Sequence, residues 1–130
     1  MIQINKLRRL MEEVSAEKGE FTFFGLFLRE EAQDKWDLLV SAPWLEEGKL
    51  KALGEFVEKA ASIIGEEDFL LLSRIVTLNH DDPNLKKILE IVQVDGSPLE
   101  LWDTNFFGVE IKRAYILHAK KVEELEPATT

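Results

Sequence analysis

Residues 21–29 constrain the fold of this chain most, because they form a run that is almost entirely apolar. In a β-strand, successive side chains point to opposite faces of the sheet. The alternation divides six apolar side chains between the two faces: Phe21, Phe23 and Phe27 on one, and Phe24, Leu26 and Leu28 on the other. A strand that is apolar on both faces is predicted to be central and covered on both sides. Gly25 in its middle indicates a bulge or the close approach of another element.

The residues that follow predict a β-hairpin. Residues 30–34 are mostly polar and few enough to form a short loop. Residues 35–42 then alternate, which puts four apolar side chains on one face of a second strand: Trp36, Leu38, Val40 and Ala42. Because a short polar loop joins two strand-like segments, we expect them to pair in antiparallel orientation.

Three segments have the spacing of amphipathic helices, with apolar residues recurring every three or four positions. The first is expected to stop near Gly19. The second spans residues 43–65, and Pro43 suits its first turn because that turn needs no N–H. The third follows Asp82 and Pro83, a capping residue and a proline suited to the first helical position. The apolar stripe of the first helix comprises Leu7, Leu10, Met11 and Val14.

The rest of the chain predicts further strands. Residues 69–79 are rich in leucine, isoleucine and valine and are apolar on both faces, so we expect a third interior strand. Residues 95–98 have the sequence Asp-Gly-Ser-Pro, which predicts a turn. The pattern of residues 99–108 is compatible with a short strand but does not require one. Residues 109–120 predict the last strand. One face of that last strand is expected to comprise Val109, Ile111, Tyr115 and Leu117.

The order of elements is therefore helix, strand, strand, helix, strand, helix and one or two final strands. This order predicts an α+β protein with a single-layer sheet, mixed or antiparallel, of about four to five strands with helices packed on it. The strand–helix–strand links permit parallel neighbours. No linker-like composition divides the chain. We expect one domain over residues 1–121 and a frayed acidic tail over residues 122–130.

Charge and cysteine content narrow the functional classes. The formal net charge is -9, and basic residues cluster no further than pairs. Since phosphate contacts dominate nucleic-acid affinity, we expect no nucleic-acid partner. The chain lacks cysteine, which removes disulfides and thiolate metal sites, and no phosphate-binding glycine motif predicts a cofactor. The apolar runs are too short to span a bilayer, so we expect no membrane partner and a cytoplasmic location.

Glu110, Ile111 and Lys112 form a Glu-x-Lys pattern on the predicted last strand. The pattern resembles that of the restriction-endonuclease-like nucleases. The resemblance implies a divalent metal held by Glu110 and an aspartate such as Asp37, with Lys112 stabilising the developing negative charge. The structural alternative is an exposed strand face on which opposite charges pair. Arg74 would need a carboxylate if it points inward, and Asp37 and Glu110 are the candidates.

Four aromatic residues are candidates for recognition: Trp44, Trp102, Phe106 and Phe107. Trp44 follows the proline that ends the second strand, and the other three precede the last strand. If they are exposed, such side chains indicate an interface, because they bury a large area at modest entropic cost. The alternative is that they close the core from its edges.

These observations support three hypotheses about function. The first is a non-enzymatic interaction module that binds a protein partner or itself, for example as a homodimer. The second is a metal-dependent hydrolase centred on Asp37, Glu110 and Lys112. The third is a small-molecule sensor with an apolar pocket lined by phenylalanines of the first strand. The first hypothesis is favoured, because the sequence carries no motif specific to an enzyme.

Overall fold

The computed structural model describes residues 2–32, 34–106 and 108–125, which fold as one sheet with helices on both faces. The helices and strands in chain order are α1 (Ile4–Lys18), β1 (Phe23–Arg29), β2 (Trp36–Ser41), α2 (Pro43–Ile64), α3 (Glu66–Phe69), β3 (Leu72–Thr77), α4 (Pro83–Ile91), β4 (Val94–Phe106) and β5 (Val109–Ala119). Short 3-10 turns follow β1 at Glu30–Ala32 and β5 at Val122–Glu124. This arrangement confirms the predicted α+β class and the predicted order of elements, to which it adds the short helix α3.

β1 is the central strand, as its two apolar faces predict. The strand order is β3-β2-β1-β5-β4. β1 pairs with β2 in antiparallel orientation, with Phe27 opposite Asp37, which confirms the hairpin. β2 pairs with β3 in parallel orientation, because α2 returns the chain to the other end of the sheet between them. The sheet is therefore mixed.

Helices cover both faces of the sheet. α1 and α2 cover one face, hereafter the α1–α2 face, where Phe24 and Leu26 of β1 are buried. α4 covers the other face, hereafter the α4 face, where Phe23 and Phe27 are buried. The buried helical residues include Leu7, Leu10 and Val14 of α1 and Leu85, Ile88 and Leu89 of α4. The apolar composition of β1 on both faces follows from this double coverage.

The helix ends agree with the predicted caps. The side chain of Asp82 accepts hydrogen bonds from the backbone N–H groups of Asn84 at 2.9 Å and Leu85 at 3.2 Å. These bonds satisfy donors that the first turn of α4 leaves without partners in the helix. Gly19 follows the last residue of α1, and Pro43 opens α2.

β3 is an edge strand, so the prediction that it lies in the interior is wrong. Ser73, Arg74 and Thr77 are exposed. Ile75 packs against the cluster of the α1–α2 face, and Val76 packs against that of the α4 face. The strand is apolar on both faces because helices cover both faces out to this edge. An apolar pattern on both faces indicates that other elements cover both faces of a strand. It does not indicate whether the strand has a neighbouring strand on each side.

Phe21 lies on the α1–α2 face, which corrects its predicted grouping with Phe23 and Phe27 on the α4 face. Alternation holds only within the strand, and β1 begins at Phe23. Gly25 marks the predicted irregularity, because the register with β5 shifts between Phe24 and Gly25. A β-carbon at Gly25 would lie 3.0 Å from Cε2 of Phe23, so glycine lets that ring lie against the backbone.

Lys112 shifts the alternation of side chains along β5. The pairing with β1 passes from Arg113 to Ile111 and leaves Lys112 as an extra residue. Ile111 therefore contributes to the α4 face, whereas Tyr115 contributes to the α1–α2 face. The prediction that Ile111 and Tyr115 share a face is wrong for this reason.

The predicted turn at residues 95–98 is a bulge within β4. The register with β5 is interrupted between Asp95 and Leu99, so the residues between them loop out of the ladder. Gly96 has a φ of 104°, which suits this excursion. The strand resumes at Leu99 and runs to Phe106. Residues 99–106, for which the sequence left open whether a strand forms, are therefore the longer part of β4.

Candidate interaction surface

Trp102 is a large aromatic side chain that β4 leaves on the surface. It is 55% exposed and lies opposite Arg113 of β5. Its indole Nε1 donates a hydrogen bond to Oε1 of Glu100 at 3.0 Å. The guanidinium carbon of Arg113 lies 4.3 Å from the centroid of its ring, which is within the range of cation–π attraction. The ring therefore contacts two side chains of the protein although it faces solvent.

Arg113 connects Trp102 to the core. Its guanidinium carbon lies 4.9 Å from the ring centroid of Tyr115, and its Nη2 donates a hydrogen bond to Oε2 of Glu100 at 3.1 Å. Tyr115 is buried, and its ring centroid lies 6.0 Å from that of Trp36 in β2. Strand alternation and register put Glu100, Trp102, Arg113 and Tyr115 on one face of the β4–β5 ladder. We call these four residues the Trp102 patch.

Hydrogen bonds keep Glu100 ionised in the Trp102 patch. Hydrogen bonding from Tyr115, and then from Trp102 and Arg113, lowers the pKa of Glu100 below its ordinary value of 4.5. Burial, followed by the hydrogen bond to Glu100, raises the pKa of Tyr115 above its ordinary value of 10.0. The tyrosine is therefore neutral at neutral pH, and the carboxylate of Glu100 balances the guanidinium of Arg113.

The other aromatic candidates have different surroundings. Trp44 is half-buried in the aromatic cluster of the α1–α2 face, and its Nε1 donates to the carbonyl oxygen of Gly19 at 3.0 Å. Phe106 is half-buried and stacks on Phe27, with ring centroids 5.2 Å apart and planes 8° apart. Phe107 lies outside the described residues. Trp44 and Phe106 therefore close the core from its edges, which leaves Trp102 as the exposed candidate among those described.

Asp37 and Glu110 do not converge, contrary to what the hydrolase hypothesis requires. β1 lies between β2, which carries Asp37, and β5, which carries Glu110. Asp37 is opposite Phe27, which in turn is opposite Ala114. The spacing between strands separates the two acidic residues by roughly 10 Å across the sheet, and the rise per residue separates them by roughly 10 Å along it. They are therefore too far apart to share a metal ion. Glu110 and Lys112 are both exposed.

Asp37 instead pairs with two arginines. Its Oδ2 accepts a hydrogen bond from Nε of Arg29 at 2.7 Å and lies 3.3 Å from Nε of Arg74. Arg74 thus has one of its two expected partners, although it lies at the exposed edge of the sheet. Among residues 2–32, 34–106 and 108–125, no group of three histidine, aspartate or glutamate side chains is arranged to hold a metal ion.

The phenylalanines of β1 pack against other rings. The ring centroid of Phe24 lies 5.1 Å from that of Phe21 and 6.4 Å from that of Phe56, both edge to face. The rings of Phe23 and Phe27 lie 6.1 Å apart. Contacts at these distances are typical of a filled interior. Among the described residues, the rings of Phe23, Phe24 and Phe27 therefore lie in packed surroundings, whereas the sensor hypothesis expects them to line a pocket.

His118 is buried near the end of β5, within a cluster of charged residues. It is 6% exposed, and its Nε2 lies 2.9 Å from Oε2 of Glu20. Nζ of Lys120 lies 3.2 Å from the same oxygen and 3.6 Å from Oδ2 of Asp95. Burial lowers the pKa of His118 below its ordinary value of 6.5. The carboxylates of Glu20 and Asp95 oppose this shift, and the charge of Lys120 adds to it.

We expect His118 to make the protein less stable in acid. Because its pKa is lower in the folded state, the unfolded chain binds more protons below pH 6.5, and the free energy of unfolding falls as pH falls through that window. The contribution is fully present above the unfolded pKa. Equilibrium unfolding of wild type and His118→Gln from about pH 8 to about pH 5 measures it. Their difference should shrink towards acid, and a constant difference would contradict the prediction.

The sequence makes Trp102 a candidate, but it does not indicate the residues that contact it. Glu100 precedes Trp102 by two positions, and Arg113 precedes Tyr115 by two, so each pair shares a strand face. That spacing was an available signal. The contact between Trp102 and Arg113 depends on the pairing of β4 with β5, which no local pattern specifies.

Comparison with known proteins assigns no family to this chain. No family model, no curated protein and no solved structure matches it. Within the part of the chain that the structure describes, no helix is long and apolar enough to cross a membrane.

Proposed function

We propose that this protein is a non-enzymatic interaction module that binds a positively charged segment of another protein through the Trp102 patch. The observation that carries the proposal is an exposed tryptophan held in place by Glu100 and Arg113. Tryptophan, tyrosine and arginine are the residue types that contribute most binding energy at protein interfaces. In the Trp102 patch, Trp102 and Arg113 are the two of these types that a partner can reach, since Tyr115 is buried.

The fixed position of Trp102 favours affinity. A side chain that becomes ordered on binding loses roughly 0.5–1.5 kcal/mol through lost conformational freedom. Trp102 is ordered before a partner arrives, because its Nε1 is bonded to Glu100 and its ring stacks on Arg113. Most of the free energy gained by covering the ring is therefore available for binding.

Charge favours a basic partner. Glu100 and Arg113 balance each other within the patch, so the field of the whole chain, with its net charge of -9, acts on an approaching protein. Outside the patch, the same two strands carry three acidic residues, Asp95, Asp103 and Glu110, and one basic residue, Lys112. Such a field speeds association with a basic segment and disfavours an acidic one. The segment that fits carries lysine or arginine around an apolar side chain that covers Trp102.

Selection from a peptide library displayed on phage tests the proposal. Wild-type protein serves as bait, and Trp102→Ala protein removes peptides that bind elsewhere. We expect basic peptides, and calorimetry should show a selected peptide binding Trp102→Ala roughly thirtyfold more weakly, the effect of losing about 2 kcal/mol at a hot spot. Leu50→Ala is the matched control, since Leu50 is 83% exposed on α2, and it should bind like wild type.

Several outcomes would overturn the proposal. Equal binding of the selected peptides to wild type and Trp102→Ala would exclude the patch. Enrichment of neutral or acidic peptides only, or an affinity that does not weaken with added salt, would exclude a basic partner. In light scattering, a wild-type dimer that Trp102→Ala dissociates would assign the patch to a second copy of the chain.

A further inference from the structure

Three strands of the sheet end at the same edge. β1 pairs in antiparallel orientation with β2 and with β5, and β2 pairs in parallel orientation with β3. β2, β3 and β5 therefore run in one direction, and their carboxyl ends lie at one edge of the sheet. In open sheets with parallel strands, ligands bind in the crevice outside the carboxyl ends of the strands. A ligand site of that kind is expected at this edge.

A hydrogen bond joins two of the segments that follow these strands. His80 follows β3, and Glu46 lies in the first turn of α2, which follows β2. Nδ1 of His80 lies 2.9 Å from Oε1 and 3.1 Å from Oε2 of Glu46. Since a carboxylate can only accept a hydrogen bond, Nδ1 carries the hydrogen. In the neutral ring, Nε2 is then left as an acceptor for another group.

A cavity of about 330 Å³ lies beside His80, which is part of its lining. One wall belongs to α4, and the other belongs to residues 121–123, which follow β5. Each wall carries one lysine, one apolar residue and one glutamate. The wall residues are Lys86, Leu89 and Glu90 of α4 and Lys121, Val122 and Glu123 of the other wall. The volume is within the range of small-molecule sites, roughly 300–1,000 Å³.

Four charged groups of this cavity are available to a ligand. Among the residues that the structure describes, the ammonium groups of Lys86 and Lys121 form no ion pair, and neither do the carboxylates of Glu90 and Glu123. Lys120, by contrast, lies 3.2 Å from Oε2 of Glu20. Because charged groups gain most from a partner where water is partly excluded, two positive and two negative groups around one cavity favour a ligand that carries both signs.

We infer that this cavity, hereafter the α4 cavity, binds a small zwitterion of the class of free apolar amino acids. The two lysines donate hydrogen bonds to the carboxylate of the ligand. The two glutamates and Nε2 of His80 accept hydrogen bonds from its ammonium group. Leu89 and Val122 pack against its apolar side chain.

The balance of charge decides between a zwitterion and an ion of one sign. An anion would lie close to the two glutamates, and the net charge of -9 would repel it during its approach. A cation would lie close to the two lysines, which would remain without a partner. A zwitterion pairs with both signs and has no net charge for the field of the chain to oppose.

Titration of the wild-type protein with free leucine, followed in two-dimensional amide NMR spectra, tests the inference. We expect saturable shifts of the amide signals of Leu89 and Val122. Isocaproate has the skeleton of leucine without the ammonium group, and isoamylamine has it without the carboxylate. Each should bind at least roughly tenfold more weakly than leucine, because each lacks one set of charge-assisted hydrogen bonds.

Substitution of the lysines provides a second measurement. Lys86→Gln and Lys121→Gln should each weaken the binding of leucine roughly tenfold and should not weaken that of isoamylamine, which has no carboxylate. Lys87→Gln is the matched control. Lys87 is exposed like Lys86 and adjacent to it in α4, but it is not part of the lining, so the variant should bind leucine as wild type does.

Three results would overturn the inference. The first is the absence of saturable shifts with leucine, valine and phenylalanine up to their solubility limits. The second is isocaproate that binds as tightly as leucine, which would make the α4 cavity a site for anions. The third is binding of leucine that Lys86→Gln and Lys121→Gln weaken no more than Lys87→Gln does.

The inference and the proposed function fail separately. The residues that line the α4 cavity do not belong to the Trp102 patch. Trp102→Ala should therefore bind leucine as wild type does, and Lys86→Gln should bind the selected basic peptides as wild type does. Failure of leucine to bind would leave the proposed role of Trp102 unaffected.

Discussion

Replacing Phe21 with alanine is expected to lower the free energy of unfolding by about 4 kcal/mol. Phe21 is fully buried, and its ring centroid lies 5.1 Å from that of Phe24, 5.4 Å from that of Trp44 and 5.9 Å from that of Phe56, all edge to face. These partners belong to β1 and α2, so Phe21 joins the central strand to the longest helix. Alanine would leave a cavity between two elements that cannot close without moving the sheet.

Urea denaturation measures this loss, provided that the dependence on urea concentration is unchanged. Phe21→Leu keeps most of the side-chain volume and should lose only about 1.5 kcal/mol. Leu50→Ala, at an exposed position of α2, should change stability by less than about 0.5 kcal/mol. A loss below about 1 kcal/mol for Phe21→Ala would show that the aromatic cluster is not closely packed.

Replacing Asp37 with alanine is expected to destabilise the protein by about 3 kcal/mol, because it leaves Arg29 without its buried carboxylate. Asp37 is 2% exposed, and its Oδ2 lies 2.7 Å from Nε of Arg29. Arg29 also meets Glu31 at 3.0 Å, but Glu31 is exposed, and such pairs contribute little. Arg74 is exposed as well, so Arg74→Ala should lose less than about 1 kcal/mol.

Denaturation of the two single variants and of the double variant Arg29→Met/Asp37→Leu tests the role of Asp37. The double variant should regain much of the stability that Asp37→Ala loses, because apolar residues of similar volume can replace a buried ion pair. A loss for Asp37→Ala as small as that for Arg74→Ala would contradict a structural role.

Local sequence patterns were sufficient to predict most elements of the fold and its central strand, but not α3 or the extent of β4. The run at residues 21–29 is apolar on both faces because β1 has helices above and below it. The cap at Asp82 and the end of α1 at Gly19 depend on backbone chemistry within a few residues. Features that depend on near neighbours in the chain, or on burial, can therefore be predicted from the local sequence.

Strand order and register could not be predicted, because they depend on contacts between distant segments. Residues 69–79 are as apolar as an interior strand, yet β3 has a neighbour on one side only. The extra residue at Lys112 reverses the faces of the side chains beyond it relative to β1. Nothing in the composition of β5 marks that position.

The candidate site was predicted in part, for the same reason. Trp102 is visible in the sequence as an aromatic residue next to a strand, but Arg113 becomes its neighbour only through the pairing of β4 with β5. Asp37 and Glu110 are equivalent in sequence, as charged residues in strands. The structure separates them, since Asp37 is buried against arginines and Glu110 is exposed.

Because β1 is the central strand, its apolar segment is exposed for part of the time during which the chain is synthesised. β1 pairs on one side with β2, which follows directly, and on the other with β5, which is the last of the five strands of the sheet to be made. At roughly 5–20 residues per second, the ribosome needs several seconds to add the residues between them. During that interval Phe23–Arg29 presents an unpaired apolar edge to neighbouring nascent chains. A chaperone that holds extended apolar segments would find its binding site there, in the strand that later becomes the most protected part of the sheet.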